Sequence, residues 1–173
     1  MIKSIDVVIP MSGHSRRFHE KGYLGSKALL TVGNKTMIEH VVEMFDDKVC
    51  VFHFVVNSKQ VKSDNKLIRY LSTLAPKTSI TVIEPHEFGP VFSVMQVKEI
   101  KPTSPIIISY CDFIVDWNFK QFLDRVIDVD GAIPSFQGFH PASFGDTFYA
   151  YMDVDSKGNL LELREKKSFT KER

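Results

Sequence analysis

Apolar and polar positions along this chain follow two periods, and the places where the period changes mark its elements. Val7, Val8 and Ile9 form an apolar run that stops at Pro10 and opens into a loop with Gly13, Ser15, Arg16 and Arg17. Ala28 to Val32 is a second short apolar stretch, and Gly33-Asn34 follows as a turn. Thr36 with Glu39 three residues later is a capping-box signature, after which Ile38, Val41, Val42 and Phe45 share one helical face. Val49 to Val56 is apolar almost throughout, which predicts a strand covered on both faces. Asn57 to Asn65 is polar and reads as a loop. Leu67, Ile68, Leu71 and Leu74 then give an amphipathic helix that ends before Pro76.

Ser79 to Ile83 predicts a third strand, Glu84 to Gly89 a loop, and Pro90 the first turn of a helix carrying Val91, Val94 and Met95. Pro105 to Ser109 predicts a fourth strand, apolar on both faces, that runs into Cys111 and Asp112. Phe119 to Ile127 predicts a helix with Phe119, Phe122, Leu123 and Val126 inward. From Gly131 the texture changes: Gly131 to Phe136, Phe148 to Val154 and Leu160 to Arg164 read as strands between turn-rich segments. This order predicts an α/β sandwich with a mainly parallel central sheet and antiparallel C-terminal strands. In such sheets ligands collect at the carboxyl ends of the strands. The Gly13 to Arg17 loop, the Glu84 to Gly89 loop and Asp112 all fall there.

Composition narrows the partners. The 173 residues suit one domain, with 43% hydrophobic and 25% charged residues, ordinary for a globular chain. Charges nearly cancel at a net +1, so no global field recruits nucleic acid or membrane, and an anionic ligand must be caught locally. Cys50 and Cys111 lie far apart in apolar runs, which predicts buried thiols in a reducing compartment. No secretory pattern and no run of membrane-spanning length is present, so a cytoplasmic location is expected.

The loop after the first strand carries the candidate chemistry. A buried strand that breaks into small residues beside Arg16 and Arg17 leaves backbone N–H groups and fixed positive charge suited to phosphate oxygens. Lys27 lies ten positions on, with Gly22 and Gly25 between to let the segment fold back. An ordinary exposed, solvated loop explains the same composition. Glu84 is placed to cap the helix after Gly89, and Asp116-Trp117 reads as an N-cap and a core ring. Tyr149 and Tyr151 alternate with Phe148 and Ala150, so one face of this strand is core and the other is open.

Taken together, PMSGHSRRF followed by SK, GNKTMIEHVV after the lysine, Gly89-Pro90, the strand ending CDF, and REK near the end resemble the sugar-1-phosphate nucleotidyltransferases. The likeness covers essentially the whole chain. It implies a Rossmann-like, GT-A-type α/β/α sandwich forming a single domain, with residues 1–130 as the nucleotide-binding half and 131–173 as acceptor-binding strands. By the same resemblance Met11, Ser12, Gly13, Ser15, Glu84 and Gly89 bind the nucleotide. Arg17 and Lys27 neutralise the triphosphate and the attacking phosphate, and Asp112 holds Mg²⁺. Tyr149, Glu165 and Lys166 contact the phosphorylated acceptor.

The implied reaction couples a nucleoside triphosphate to a sugar-1-phosphate or similar acceptor with release of pyrophosphate, in polysaccharide or capsule synthesis. A homo-oligomer is a further expectation of the likeness. Glu84 is acceptor-only, which favours an amino-bearing base and hence CTP. Two competing readings are a glycosyltransferase of the same architecture that consumes a nucleotide-sugar, and a non-catalytic nucleotide- or sugar-phosphate-binding module. Three departures stand out: Ser15 replaces the second glycine of the signature, Ser26 replaces a proline, and the usual second metal-binding acid would come after Arg173. The chain is therefore expected to be C-terminally incomplete, or Asp116 or another acid substitutes.

Overall fold

A computed structural model describes residues 4–137 and 149–169, apart from 16, 17, 19 and 24. In chain order the elements are β1 (Ile5–Pro10), a 3-10 turn (Lys27–Leu29), β2 (Thr31–Val32), β3 (Lys35–Thr36), α1 (Met37–Glu43), β4 (Cys50–Asn57), α2 (Ser58–Ser63), α3 (Leu67–Leu71), β5 (Thr78–Ile83), α4 (Pro90–Val94), β6 (Ile106–Ile108), α5 (Phe119–Val126), β7 (Ala150–Val154) and β8 (Leu160–Glu165). Residues 1–128 and 129–173 form two compact units.

The first unit is built on a four-stranded sheet of order β5-β4-β1-β6, and every pairing is parallel. Pleating sorts the side chains onto two faces. Ile5, Val7 and Ile9 of β1 join Phe52, Phe54 and Val56 of β4 on one face, under α1 (Ile38, Val41, Val42), α3 (Leu67, Leu71) and α5 (Phe119). Val8 and Val55 face the other way, against Val94, Val97 and Ile100 in and after α4. Helices thus cover both faces, and the continuous apolar runs of β1 and β4 follow from that burial. Phe45 anchors the first face by edge contacts with Phe52, Trp117 and Phe119. On the second face His53 is a satisfied core histidine between Asp6 Oδ1 and Ser79 Oγ, 2.7 Å from each.

The predicted box at α1 forms: Thr36 Oγ1 accepts from Glu39 N, and Glu39 Oε2 accepts from Thr36 N. Four local expectations change. The polar stretch after β4 is not a loop but α2, because Asn57 and Gln60 build a second capping box there. Only Ile107 of β6 packs inward, while Ile106 and Ile108 are half-exposed, since no strand among the described residues pairs with the outer edge of β6. Asn118, rather than Asp116, caps α5 through Gln121 N, and Trp117 is a core ring. Residues 131–136 form no strand.

In the second unit β7 and β8 pair antiparallel. Their turn is held by Asp155, whose Oδ2 accepts from Asn159 Nδ2 and whose Oδ1 accepts from Asn159 N and Lys157 N, and these bonds, the Asn159 side-chain amide foremost, lower its carboxyl pKa. No helix among the described residues is long and apolar enough to cross a membrane.

Candidate functional site

A chain that lays β1, β4 and β5 to one side and then returns to place β6 on the other reverses its strand order between β1 and β6. In open parallel sheets the loops leaving two such strands diverge, and the crevice at their carboxyl ends is where ligands bind. Met11 to Ser15 follow β1, and Tyr110 to Phe113 follow β6. Cys111 is buried in the first-face core, so its neighbour Asp112 is turned outward. Ser26 starts the 3-10 turn whose Ala28 is fully buried, and this anchor presents Lys27 to the same crevice. The result is a 2.8 Å ion pair, Lys27 Nζ to Asp112 Oδ2, with each side chain about one-third exposed or less. The structure therefore brings together two of the residues singled out from sequence. Arg17 lies outside the described residues.

The β1 loop is held from below. Asn57 Nδ2 donates to Ser12 O at 2.7 Å and Gln60 Nε2 donates to Met11 O at 2.9 Å, while Met11 N donates to Val55 O. Tying the two carbonyls inward fixes the peptide planes that lead into exposed Gly13, where an added Cβ would meet nothing within 4 Å. At Ser15 φ is 51°, the left-handed region that the replaced glycine would occupy freely. The chain thus keeps the glycine conformation with a serine, and the strain falls at the candidate site.

Gly89 has φ 85° and ψ 176°, a backbone region open essentially to glycine alone, and Pro90 begins α4. Glu84 does not cap that helix: no side chain does. Its Oε2 instead accepts from Ser58 Oγ at 3.0 Å, at the start of α2. The polar residues Asn57, Gln60, His86 and Ser93 were not singled out from sequence. Asn57 and Gln60 carry a local signal in their capping-box spacing, and Ser93 is the one polar residue in Pro90–Val94. Ser93 is fully buried, with its hydroxyl 2.8 Å from both Ser12 Oγ and His86 Nε2.

Tyr149, Glu165 and Lys166 lie in the second unit and meet at the open end of its hairpin. Lys166 N donates to Tyr149 O at 3.0 Å, Lys166 Nζ lies 3.8 Å from Glu165 Oε1, and Lys166 has φ 56°. The Tyr149 ring meets Phe136 edge-on, a centroid distance of 6.3 Å.

Residues 7–169 match the MobA-like NTP transferase domain. The bifunctional protein GlmU of Methanococcus maripaludis is 23% identical over 167 residues, 96% of this chain and 37% of GlmU. The chain thus spans little more than a third of that curated relative. The nucleoside-diphosphate-sugar pyrophosphorylase of Vibrio cholerae RC9 superposes with a TM-score of 0.70 at 19% identity, covering 95% of this chain and 68% of that one. A UTP-bound UGPase from Acinetobacter baumannii superposes at 0.64 with 17% identity, over 97% and 69% of the two chains. These likenesses establish the Rossmann-like architecture.

Proposed function

Because the chain belongs to the family of MobA-like NTP transferase domains, we propose that it is a nucleotidyltransferase joining a nucleoside triphosphate to a phosphorylated small molecule, a sugar-1-phosphate by preference. The observation that carries this reading is the Lys27–Asp112 pair at the crevice between β1 and β6. An oxygen of the acceptor phosphate attacks the α-phosphorus. The bond from that phosphorus to the oxygen bridging to the β-phosphate breaks, and pyrophosphate leaves with the electron pair. The nucleophile is already an anion, so no base is needed, and the main obstacle is bringing two anions together.

Lys27 lowers that repulsion by exchanging Asp112 for phosphate oxygens, with Arg17 as its partner, and the β1 loop orients the triphosphate through its amides. Asp112 suits Mg²⁺ as one carboxylate ligand, since this ion takes one or two carboxylates and completes its shell with substrate phosphates and water. No cluster of three or more metal-ligating side chains exists among the described residues. When bound, the ion would neutralise charge on the triphosphate. Tyr149, Glu165 and Lys166 would meet the acceptor.

Glu84, exposed at the end of β5, would accept from the exocyclic amine of cytosine, making CTP the favoured donor. The activated sugar would feed envelope or capsule polysaccharide synthesis. Pyrophosphate release from each of the common nucleoside triphosphates, with a panel of sugar-1-phosphates, tests the reading. Turnover that depends on both substrates supports it, and consumption of a preformed nucleotide-sugar, or saturable binding without turnover, contradicts it.

A further inference from the structure

His86 lies in the loop after β5, and its Nδ1 accepts the Phe88 N–H at 3.2 Å. A backbone amide can only donate, so in the neutral ring the proton sits on Nε2. Nε2 is 2.8 Å from Ser93 Oγ and donates to it. The single hydrogen of Ser93 is then left for Ser12 Oγ, 2.8 Å away. Direction propagates along the chain: Phe88 N–H to His86, His86 to Ser93, Ser93 to Ser12. Ser12 receives, and its own hydrogen has no acceptor among the described residues.

That hydrogen sits in the loop between β1 and exposed Gly13, and the Ser12 carbonyl is held in place by Asn57. We propose that Ser12 donates it to an acceptor oxygen of the bound nucleotide, and that Ser93 and His86 are positioning residues that fix its direction. The inference rests on the nucleotide-binding reading above and adds two residues to that site. A hydroxyl that already receives a bond from Ser93 cannot turn its hydrogen toward Ser93, so it meets the ligand without reorganising. The oxygen accepting it belongs either to a phosphate or to the ribose.

Titration of the full chain with CTP, UTP and inorganic triphosphate, with melting followed in parallel, tests this. S12A should weaken nucleotide binding about tenfold, the usual scale for a lost hydrogen bond to a charged or well-held acceptor. S93A should weaken it by a smaller factor that vanishes in the S12A background, since Ser93 acts only through Ser12. H86Q, which keeps a donor near Ser93, should retain affinity that H86L loses. This pair carries the test should the serine variants fold poorly.

Equal losses for inorganic triphosphate and nucleotide place the accepting oxygen on phosphate, and a loss confined to nucleotides places it on ribose. Unaltered affinity in S12A, or additive losses in S12A/S93A, overturns the inference while leaving the functional reading intact. Failure of the unaltered protein to bind either nucleotide or triphosphate overturns both.

Discussion

Lys27 Nζ donates to Asp112 Oδ2 at 2.8 Å, joining the end of the segment after β1 to the end of β6 across the point where the sheet reverses its strand order. A pair this exposed contributes only about 0–1 kcal/mol to folding, because water and salt screen it and ordering two side chains costs entropy. Stability therefore does not account for its place. A cation and an acid held side by side at a crevice do suit a triphosphate and its metal.

Replacing Lys27 by Met or Asp112 by Asn should lower kcat/KM for pyrophosphate release by two orders of magnitude or more, while the free energy of unfolding stays within about 1 kcal/mol of the parent. Parallel turnover assays and urea unfolding check this. A collapse of folding in either variant would make the pair structural.

Asn57 has two duties that substitution can separate. Its Oδ1 caps α2 through Gln60 N, and its Nδ2 holds the Ser12 carbonyl. Asn57→Ser keeps a capping oxygen but no amide donor, and Asn57→Ala loses both. The alanine variant should be less stable than the serine variant by about 1 kcal/mol, the value of an N-cap. Both should bind triphosphate equally weakly, because both release the loop. Different affinities would show that the cap, rather than the carbonyl tie, governs the loop.

Ser15 holds a left-handed φ of 51°, and Gly would relieve the strain. Ser15→Gly should raise the unfolding free energy by up to about 1 kcal/mol, the relief of a left-handed residue less the extra entropy of a glycine in the unfolded chain. Denaturant titration reads this directly, and a loss of more than that amount would mean the Ser15 side chain makes a needed contact.

The two thiols should be silent in the native state. Burial pushes Cys50 up to about 12 and Cys111 up to about 11, so neither presents thiolate at neutral pH. A disulfide reagent at pH 8 should label both only after unfolding. Because both folded values lie above the ordinary value of 9.0, their contribution to stability is complete below that pH and is lost as pH rises toward 11 and 12. Stability measured between pH 8 and pH 11 should fall, and should fall less steeply in Cys50→Ala. A slope unaffected by that substitution would contradict the assignment.

The elements set by local chemistry were legible in the sequence. Apolar runs, broken in β4 only by His53, announced β1 and β4, Thr36 with Glu39 announced α1, and Gly89-Pro90 announced α4. Lys27 and Asp112 were legible as candidates, but their contact was not, because 85 positions separate them and only the sheet order brings them together. The same holds for Ser12 and Ser93, which are 81 apart. Helix α2 was missed because polar composition outweighed the Asn57 and Gln60 spacing that nucleates it. The strand expected over Gly131 to Phe136 finds no partner among the described residues, and a short apolar segment does not make a strand without one.

Protection of Lys27 from an amine-acylating reagent, followed by mass spectrometry, tests most directly whether a triphosphate occupies the crevice. Saturating nucleoside triphosphate with Mg²⁺ should suppress acylation of Lys27 at least severalfold while leaving Lys120, an exposed lysine on α5, unchanged. Equal acylation of Lys27 with and without nucleotide, under conditions where binding is independently saturated, would place the ligand elsewhere and contradict the account.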